Sequence, residues 1–322
     1  MDKSETGSAN FFGPVQVAPA VSREELAEIA AVADTVAGYR ISLDELEHER
    51  ATEPDIAFVL ARIDGELVGS GIGKRSSMQG TLYAMARVLP DRRRRGAGSA
   101  LYAELSEHAR RLGLEELWGR VDAGDEQALE FVRHRGFREF SREIESVLTI
   151  AETPPPCVDP PPGITITNLG DRPDLAEACH AVDAEGVPDI PVEAEFVAAP
   201  FERWRARTLE GPDALPHACA VALAGDEVVG YAALLARHAQ PGTAEHQLTA
   251  VRRAWRRRGI ATALKRAQIA WAAAAGFERL VTFNDEVNMA MRGVNAQLGY
   301  EARPPVLLVR GPLVSAAADR AR

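Results

Sequence analysis

Two short segments rich in arginine and glycine are the residues of this chain best suited to bind a ligand. One reads RRRGAGSAL from Arg93, and the other reads RRRGIATAL from Arg256. Each opens an apolar-periodic stretch typical of a helix, whose first N–H groups have no partner inside the helix and lie at its positive end. The glycines let backbone approach a ligand closely, and the arginines add charge-assisted hydrogen bonds. The pattern predicts two loops that bind an anion such as a pyrophosphate.

The two segments belong to a longer repeat with one constant spacing. Gly96 and Gly259 are 163 positions apart, and so are Gly136 and Gly299. A repeat of this length without insertion implies two copies of one domain. The chain has 322 residues, which is enough for two domains of ordinary size.

A proline-rich segment separates the two copies. Residues 151–163 contain six prolines, which exclude a helix or a central strand. We therefore predict a first domain over residues 1–150, a linker over 151–163 and a second domain over 164–322. In each half, strand-like and helix-like patterns alternate, which predicts an α/β fold with a mixed sheet flanked by helices.

Composition narrows the class of protein. The net charge is −10, with −7 in residues 1–150 and −3 in the rest, so neither half has the basic excess of a nucleic-acid binder. The sequence contains no run of 18 apolar residues, so no membrane span is predicted. The first ten residues are polar without an apolar signal core, and the three cysteines lack metal or disulfide spacing, so a cytoplasmic protein is expected. No GxGxxG or GK[ST] motif occurs, which disfavours a Rossmann dinucleotide site and excludes a Walker A loop.

The chain resembles the GNAT superfamily of acyl-CoA N-acyltransferases over residues 81–140 and 244–303. The first block contains VLPDRRRRGAGSAL and ALEFVRHRGF, and the second contains VRRAWRRRGIATALK and NDEVNMAMRGVNAQLGY. The resemblance implies, in each half, a sheet splayed by a bulge between its fourth and fifth strands, with acetyl-CoA in the splay. The tandem arrangement is similar to that of mycothiol synthase and other two-domain members.

The resemblance also assigns cofactor residues. Backbone amides of the two loops would hold the CoA pyrophosphate, and the strand ends at Val88 and Val251 would bind the pantetheine arm. The predicted residues are Val251, Arg256, Arg257, Arg258, Gly259, Ile260, Ala261, Thr262 and Asn288 in the second half, and Val88, Arg93, Arg94, Arg95, Gly96, Ala97, Gly98 and Ser99 in the first.

The catalytic candidates lie in the second half. A primary amine is mostly protonated at neutral pH, so its attack on a thioester needs a base. At the offset of 163, Glu245 and His246 stand opposite Leu82 and Tyr83, so only the second copy offers a good base. Glu245 is the first candidate and His246 the second; the alternative for Glu245 is a surface residue at a strand edge.

The chain departs from the family pattern at the position of the general acid. The family often carries a tyrosine near position 132 or 295, but this chain has Val132 and Asn295. Asn295 is the third catalytic candidate, as a hydrogen-bond donor and not as an acid. Asn284, Asn288 and Asn295 are predicted either to bind pantetheine amides or to cap a helix. The segment over residues 182–195 lies where the family's substrate loop lies, and its carboxylates either attract an amine or form a solvated acidic surface.

These observations predict an acetyltransferase that moves an acetyl group from acetyl-CoA to a primary amine of a small molecule or peptide. The second domain is the predicted catalyst, and the first is predicted to be structural. Two alternatives remain open. One is a CoA-binding sensor without turnover, and the other is catalysis in the first half with a contribution from Tyr83. Neither a nucleic acid nor a membrane is expected as a partner.

Overall fold

The computed structural model describes residues 13–36, 40–150, 155–191 and 196–314. The first half contains, in chain order, β1 (Val15–Pro19), α1 (Arg23–Thr35), α2 (Leu43–Thr52), β2 (Ala57–Ile63), β3 (Glu66–Arg75), β4 (Thr81–Val88), α3 (Ala97–Arg111), β5 (Glu116–Asp122), α4 (Glu126–Arg133) and β6 (Arg138–Thr149). The second half contains β7 (Thr165–Asn168), α5 (Ala176–Gly186), α6 (Phe201–Arg205), β8 (Ala220–Ala224), β9 (Glu227–Ala236), β10 (Thr243–Val251), α7 (Ile260–Ala274), β11 (Arg279–Asp285), α8 (Met289–Gln297) and β12 (Glu301–Pro312). The predicted mixed α/β class is confirmed.

All twelve of these strands form one sheet, in the order β1-β2-β3-β4-β5-β12-β6-β11-β10-β9-β8-β7. The order is symmetric about the β12–β6 pair in the centre. Each strand of the first half and its counterpart in the second half occupy mirror positions in this order. The two parallel pairs, β4 with β5 and β10 with β11, hold three residue pairs each before the strands separate.

The last strand of each half is exchanged. β6 pairs with β11 of the second half, and β12 pairs with β5 of the first half. The sequence assigns β6 to a first domain that ends near residue 150, but in space β6 lies among strands of the second half. The halves are therefore joined by main-chain hydrogen bonds as well as by the linker, of which residues 155–163 contain neither helix nor strand.

Alternating residues of the strands pack against two layers of helices, one on each face of the sheet. In β2, Phe58 and Leu60 pack against Leu26 of α1, whereas Val59 and Ala61 pack with Leu101 of α3. Successive strand residues point to opposite faces, so α1 and α2 cover one face and α3 covers the other. The second half repeats this arrangement, with α5 on one face of β8 and α7 on the other.

Serine capping boxes start the first two helices. Ser22 accepts from the backbone N–H of Glu25, and Ser42 accepts from that of Glu45, while both glutamates reach back to the cap residue. These reciprocal bonds satisfy N–H groups that the helix leaves unpaired. None of the helices in the described part of the chain combines the length and the apolar character that a membrane span requires.

Candidate active site

The two arginine and glycine loops have the same unusual backbone. Arg94 and Arg257 have φ of 63° and 61°, and Gly96 and Gly259 have φ of 87° and 84°. Gly96 and Gly259 are the N-cap residues of α3 and α7, and neither provides a side-chain cap. The N–H groups of the first helical turn are therefore presented to a ligand, as an anion site requires.

In the first half, ion pairs attach α4 to this loop. The two terminal guanidinium nitrogens of Arg93 lie 3.1 and 3.0 Å from the two carboxylate oxygens of Asp125, the residue that caps α4. Arg94 Nη1 lies 3.2 Å from a carboxylate oxygen of Glu130. Two of the three arginines predicted to bind phosphate are thus neutralised within their own half.

An aromatic ring completes the closure of the first-half loop. A Cβ on Gly98 would lie 3.1 Å from the ring of Phe131, so the ring packs directly on the start of α3. The guanidinium of Arg135 stacks over that ring at 3.7 Å and donates to Ser99 Oγ at 2.5 Å. Val88 and residues 93–99, all of them described, border no part of the large cleft between the two halves.

In the second half, α8 is not attached in this way. The residues that close the first-half loop, Asp125, Glu130, Phe131 and Arg135, correspond at the offset of 163 to Asn288, Gly293, Val294 and Leu298. Arg256 bonds elsewhere: its Nε donates to the Val251 carbonyl at 2.9 Å and its Nη2 to Asp189 at 2.7 Å. The space between α7 and α8 opens into the cleft, which Thr262 and Val294 border.

The cleft has a volume of about 1720 Å³ and is lined by both halves. It reaches through the gap between β10 and β11, because its wall includes Glu245 on one side of the sheet and Lys265 of α7 on the other. The predicted cofactor residues that line it are Val251, Arg256, Arg257, Gly259, Ile260, Ala261, Thr262 and Asn288. Arg258 does not line it, since its guanidinium stacks on Trp255 at 4.8 Å.

A bulge lies in β10 where this strand leaves β11. The β10–β11 pairing ends at Glu245, and the register of β10 against β9 shifts between His246 and Thr249. β4 leaves β5 at Tyr83, but its register against β3 is regular along its whole length. The expectation of a bulge in each half is therefore correct for the second half and wrong for the first.

The bulge also corrects the alignment of the two strands. Glu245 pairs with Val281, and Tyr83 pairs with Trp118, the counterpart of Val281. Glu245 therefore corresponds to Tyr83 and not to Leu82, because the extra residue of β10 changes the offset before the bulge by one. In the first half a tyrosine, half-buried against Trp118, takes the place of the carboxylate.

Glu245 lies on the cleft face within a group of charged side chains. Its Oε2 is 3.1 Å from Arg237 Nε, and Gln247 Nε2 donates to its Oε1 at 3.1 Å. Glu143, from the exchanged strand β6, lies on the same face. Burial raises the pKa of Glu143, Arg120 at 2.7 Å opposes that rise, and the Glu245 carboxylate adds to it. Two carboxylates from different halves thus share the floor of the cleft.

His246 points to the other face and is only 4 % exposed. Gln268 Nε2 donates to the carbonyls of Ala218 and Ala232, so its Oε1 accepts from His246 Nδ1 at 3.0 Å. His246 Nε2 therefore accepts from the hydroxyl of Tyr300, 2.5 Å away. Burial lowers the pKa of His246, and the nearby Lys265 charge lowers it further. With both nitrogens engaged, His246 is placed as a neutral core residue and not as a base.

The three asparagines have different surroundings. Asn288 caps α8, because its Oδ1 accepts from the backbone N–H of Met291 at 3.1 Å. Asn295 is 1 % exposed and donates to Asn284 Oδ1 at 2.6 Å. The Oδ1 of Asn295 is buried without a hydrogen-bond partner among the described residues, as is the hydroxyl of Thr249. Asn295 is thus a buried hydrogen-bonding group, which fits an amide-binding role and not acid catalysis.

The acidic segment before α6 holds the arginine loop in place. Glu185 accepts from the backbone N–H of Arg253 at 2.7 Å, and Asp189 binds Arg253 and Arg256, each at 2.7 Å. These two arginines lower the pKa of Asp189 to about 2. Glu185 and Asp189 therefore bind the arginine loop, whereas Asp183 of the same segment is buried and borders the cleft. Residues 192–195 of this segment lie outside the described residues.

Sequence reasoning missed two groups in the cleft. Glu143 belongs to the other half along the chain, and only the strand exchange brings it near Glu245. Lys265 corresponds at the offset of 163 to Tyr102, so comparison of the two copies would have revealed a cation within an apolar helix face. Lys265 is 1 % exposed, and its Nζ has no hydrogen-bond partner in the described residues.

The groups that the second half presents fit acetyl-CoA, the co-substrate that the resemblance implies. The α7 start presents N–H groups, and β10 beyond Glu245 has no β11 partner for its backbone. The Thr249 hydroxyl on the cleft wall is a buried polar atom without a hydrogen-bond partner among the described residues; Asn295 Oδ1 is another, but Asn295 does not line the cleft. The first half has the N–H groups but is covered by α4.

A family model agrees with this geometry. The acetyltransferase (GNAT) family model matches residues 23–137 and 185–300, and the two matched segments together exceed half of the chain. The chain belongs to the GNAT acetyltransferase family. Both segments end just before an exchanged strand, and each contains one of the two loops. No curated protein matches the chain.

Solved structures show the same tandem fold. A GCN5-related N-acetyltransferase from Sphaerobacter thermophilus aligns with a TM-score of 0.70 and 21 % identity over 94 % of this chain and 98 % of its own. A tandem GNAT protein from the clavulanic acid biosynthesis pathway aligns with a TM-score of 0.71 and 20 % identity, over 94 % of this chain and all of its own. A putative acetyltransferase from Pyrococcus horikoshii gives 0.61 and 15 %, over 96 % of this chain and 93 % of its own. At these identities the likeness concerns the fold.

Proposed function

We propose that this GNAT protein transfers an acetyl group from acetyl-CoA to a primary amine of a small molecule or peptide, in its second half. One observation carries the proposal. The second-half splay opens into the cleft, whereas Phe131 and its neighbours cover the equivalent first-half loop. The first half is then a structural partner that supplies one wall of the acceptor cleft, including Tyr83 and Trp118.

The second half would hold acetyl-CoA through backbone groups more than through arginine side chains. The N–H groups of residues 257–262 suit the pyrophosphate. Of the three arginines, Arg256 already donates hydrogen bonds to Asp189 and to the Val251 carbonyl, and Arg258 stacks on Trp255. Thr249, which borders the cleft, offers a buried partner for the pantetheine arm. When bound, acetyl-CoA supplies an activated acetyl thioester at the place where β10 and β11 separate.

Glu245 is the proposed base, acting through a water molecule. Its carboxylate is ion-paired with Arg237 and lines the cleft, where it suits the orientation of a water that carries the amine proton away. The neighbouring Glu143 places a second carboxyl group on the cleft floor, and carboxylates there favour entry of a protonated amine. His246 is not proposed as a base because its two ring nitrogens already have partners.

The proposal is tested first by calorimetric titration with acetyl-CoA. We expect one site per chain. Val294→Phe copies the first-half closure into the second half and should weaken binding by at least about tenfold, or about 1.4 kcal/mol. The matched variant Phe131→Val should leave affinity within about twofold while lowering stability by about 1–2 kcal/mol, because it opens a partly filled site. Two sites would place acetyl-CoA in both halves, and loss of binding in Phe131→Val alone would place it in the first half.

Turnover is then measured as thiol release with a panel of amines. Release with at least one amine is expected. Binding at one site without thiol release for any amine would instead support a CoA sensor.

A further inference from the structure

Lys265 is a buried cation that the proposed function has not used. It lies in the second turn of α7, is 1 % exposed, and its Nζ has no hydrogen-bond partner among the described residues. An ammonium in such surroundings is costly unless it meets an anion. The first-half counterpart, Tyr102, carries no charge and donates to the Pro312 carbonyl at 2.6 Å. The charge is thus peculiar to the half with the open splay.

Lys265 lies at the vertex of that splay, which is the point where β10 and β11 separate. Its Nζ lies 5.2 Å from the centre of the Tyr300 ring and close enough to His246 to lower the pKa of that imidazole. His246 is the first residue of β10 after the last pair with β11, where the two strands part. Lys265 also borders the cleft, so a ligand that fills the splay meets it.

The neighbouring titratable groups are already engaged. They are His246 from β10 and Tyr300 from the turn before β12, while Glu245 points to the opposite face. The Tyr300 hydroxyl donates to His246, and His246 donates to Gln268. Lys265 Nζ is therefore the proton-bearing group at the vertex that has no acceptor within the described residues.

We propose that Lys265 donates the proton to the CoA sulfur as the thiol leaves, a role that rests on the proposed acetyl transfer. The amine nitrogen forms a bond to the acetyl carbon, the carbon–sulfur bond breaks, and its electron pair goes to sulfur. The Lys265 ammonium gives its proton to that sulfur and becomes a neutral amine. The proton lost by the attacking amine passes through water to Glu245, and Lys265 is protonated again from the cleft.

The chemistry of the group agrees with this role. Burial lowers the pKa of Lys265 to about 7. An ordinary thiol has a pKa of about 8.5, so a proton passes favourably from this lysine to a thiolate. Before the transfer, the ammonium also stabilises negative charge that grows on sulfur, and a desolvated site strengthens that attraction. Asn295, which stands near the family's tyrosine position, has no acidic proton to offer.

Binding of CoA and of desulfo-CoA, which lacks the sulfur, tests the proposal without turnover. Lys265→Met keeps the length of the side chain and removes the charge, and it should fold because it removes an unpaired buried cation. We expect the variant to bind CoA about fivefold more weakly than the wild type at pH 6, where Lys265 carries its proton and donates to the sulfur, a loss typical of one hydrogen bond. Affinity for desulfo-CoA should stay within about twofold. Equal losses for both ligands, or no loss for either, would overturn the role at sulfur.

The rate provides a second readout. In the variant, kcat should fall by about 100-fold, the usual size of acid catalysis, with the KM for the amine little changed. The wild-type kcat should decrease at high pH as Lys265 loses its proton, and this decrease should disappear in the variant. An unchanged pH profile would contradict the proposal. If wild-type protein binds CoA but acetylates no amine, the proposed function fails; if it acetylates and the variant does so equally, only the role of Lys265 fails.

Discussion

The replacement of Lys265 by Met should stabilise the protein, and the gain should depend on pH in a defined way. Burial lowers the pKa of this lysine from its ordinary 10.5 to about 7. Between these two values the unfolded chain binds about one proton more than the native chain, so wild-type stability rises with pH across this range. Methionine has no proton to bind, so the variant lacks this contribution.

The magnitude follows from the same two pKa values. A pKa difference of one corresponds to about 1.4 kcal/mol, and the native lysine is half protonated at pH 7. The variant should therefore be more stable than the wild type by about 4 kcal/mol at pH 7 and by only about 1 kcal/mol at pH 10. The measurement is urea unfolding of both proteins at the two pH values, with coincident fluorescence and circular dichroism as the check on two-state behaviour.

Other buried groups titrate too, but they cancel in the difference between the two proteins. Burial raises the pKa of Cys179 to about 12 and that of Cys219 to about 11, so both proteins lose stability above about pH 9 as unfolded thiols ionise. The lowered pKa of His246 acts mainly below about pH 6.5, outside the range compared. A variant that is no more stable at pH 7, or whose gain is the same at both pH values, would refute the view of Lys265 as a buried unpaired cation.

Two further predictions concern the base and the strand exchange. Glu245→Gln should lower kcat by about 100-fold or more in the thiol-release assay, because the water-mediated base is lost; Glu145→Gln, which removes another carboxylate 3.9 Å from the same arginine, should change kcat by less than about threefold. Equal effects of the two variants would count against Glu245 as the base. A protease site placed within residues 155–163 should be cleavable without separation of the halves on gel filtration, since β6 and β12 remain exchanged; elution as two smaller species would show that the exchange does not hold the halves together.

Local features of the fold were predictable from the sequence. The first two helices begin at serine capping boxes, and α3 and α7 begin after the glycine loops. The repeat predicts that the elements of one half form again in the other half. The exchange of β6 and β12 was not predictable, because each strand matches its own copy and the other copy equally well. Pattern alone cannot say which of two equivalent sheet edges a terminal strand joins.

The site was predictable where it depends on the loop and less so where it depends on register. A constant offset aligns Glu245 with Leu82, but one extra residue in β10 moves the correspondence to Tyr83. His246 next to a candidate base suggests chemistry, yet alternation along the strand directs it into the core. The sequence therefore identified the strand that carries the proposed base, while the bulge decided which side chains face the cleft.

The strand exchange gives the first half a structural role, although we propose no catalytic step for it. β12 pairs with β5 and β6, and β11 pairs with β6, so loss of the first half would leave β12 without its partner strands and would expose one long edge of β11. The same exchange places Glu143 of the first half beside Glu245 of the second. Once the two halves shared one sheet, the first could close its own loop with Phe131 and Arg135 without loss of the cleft. On this view, the closed loop stabilises the first half. The second half instead has an open splay and a buried lysine, which serve the proposed catalysis.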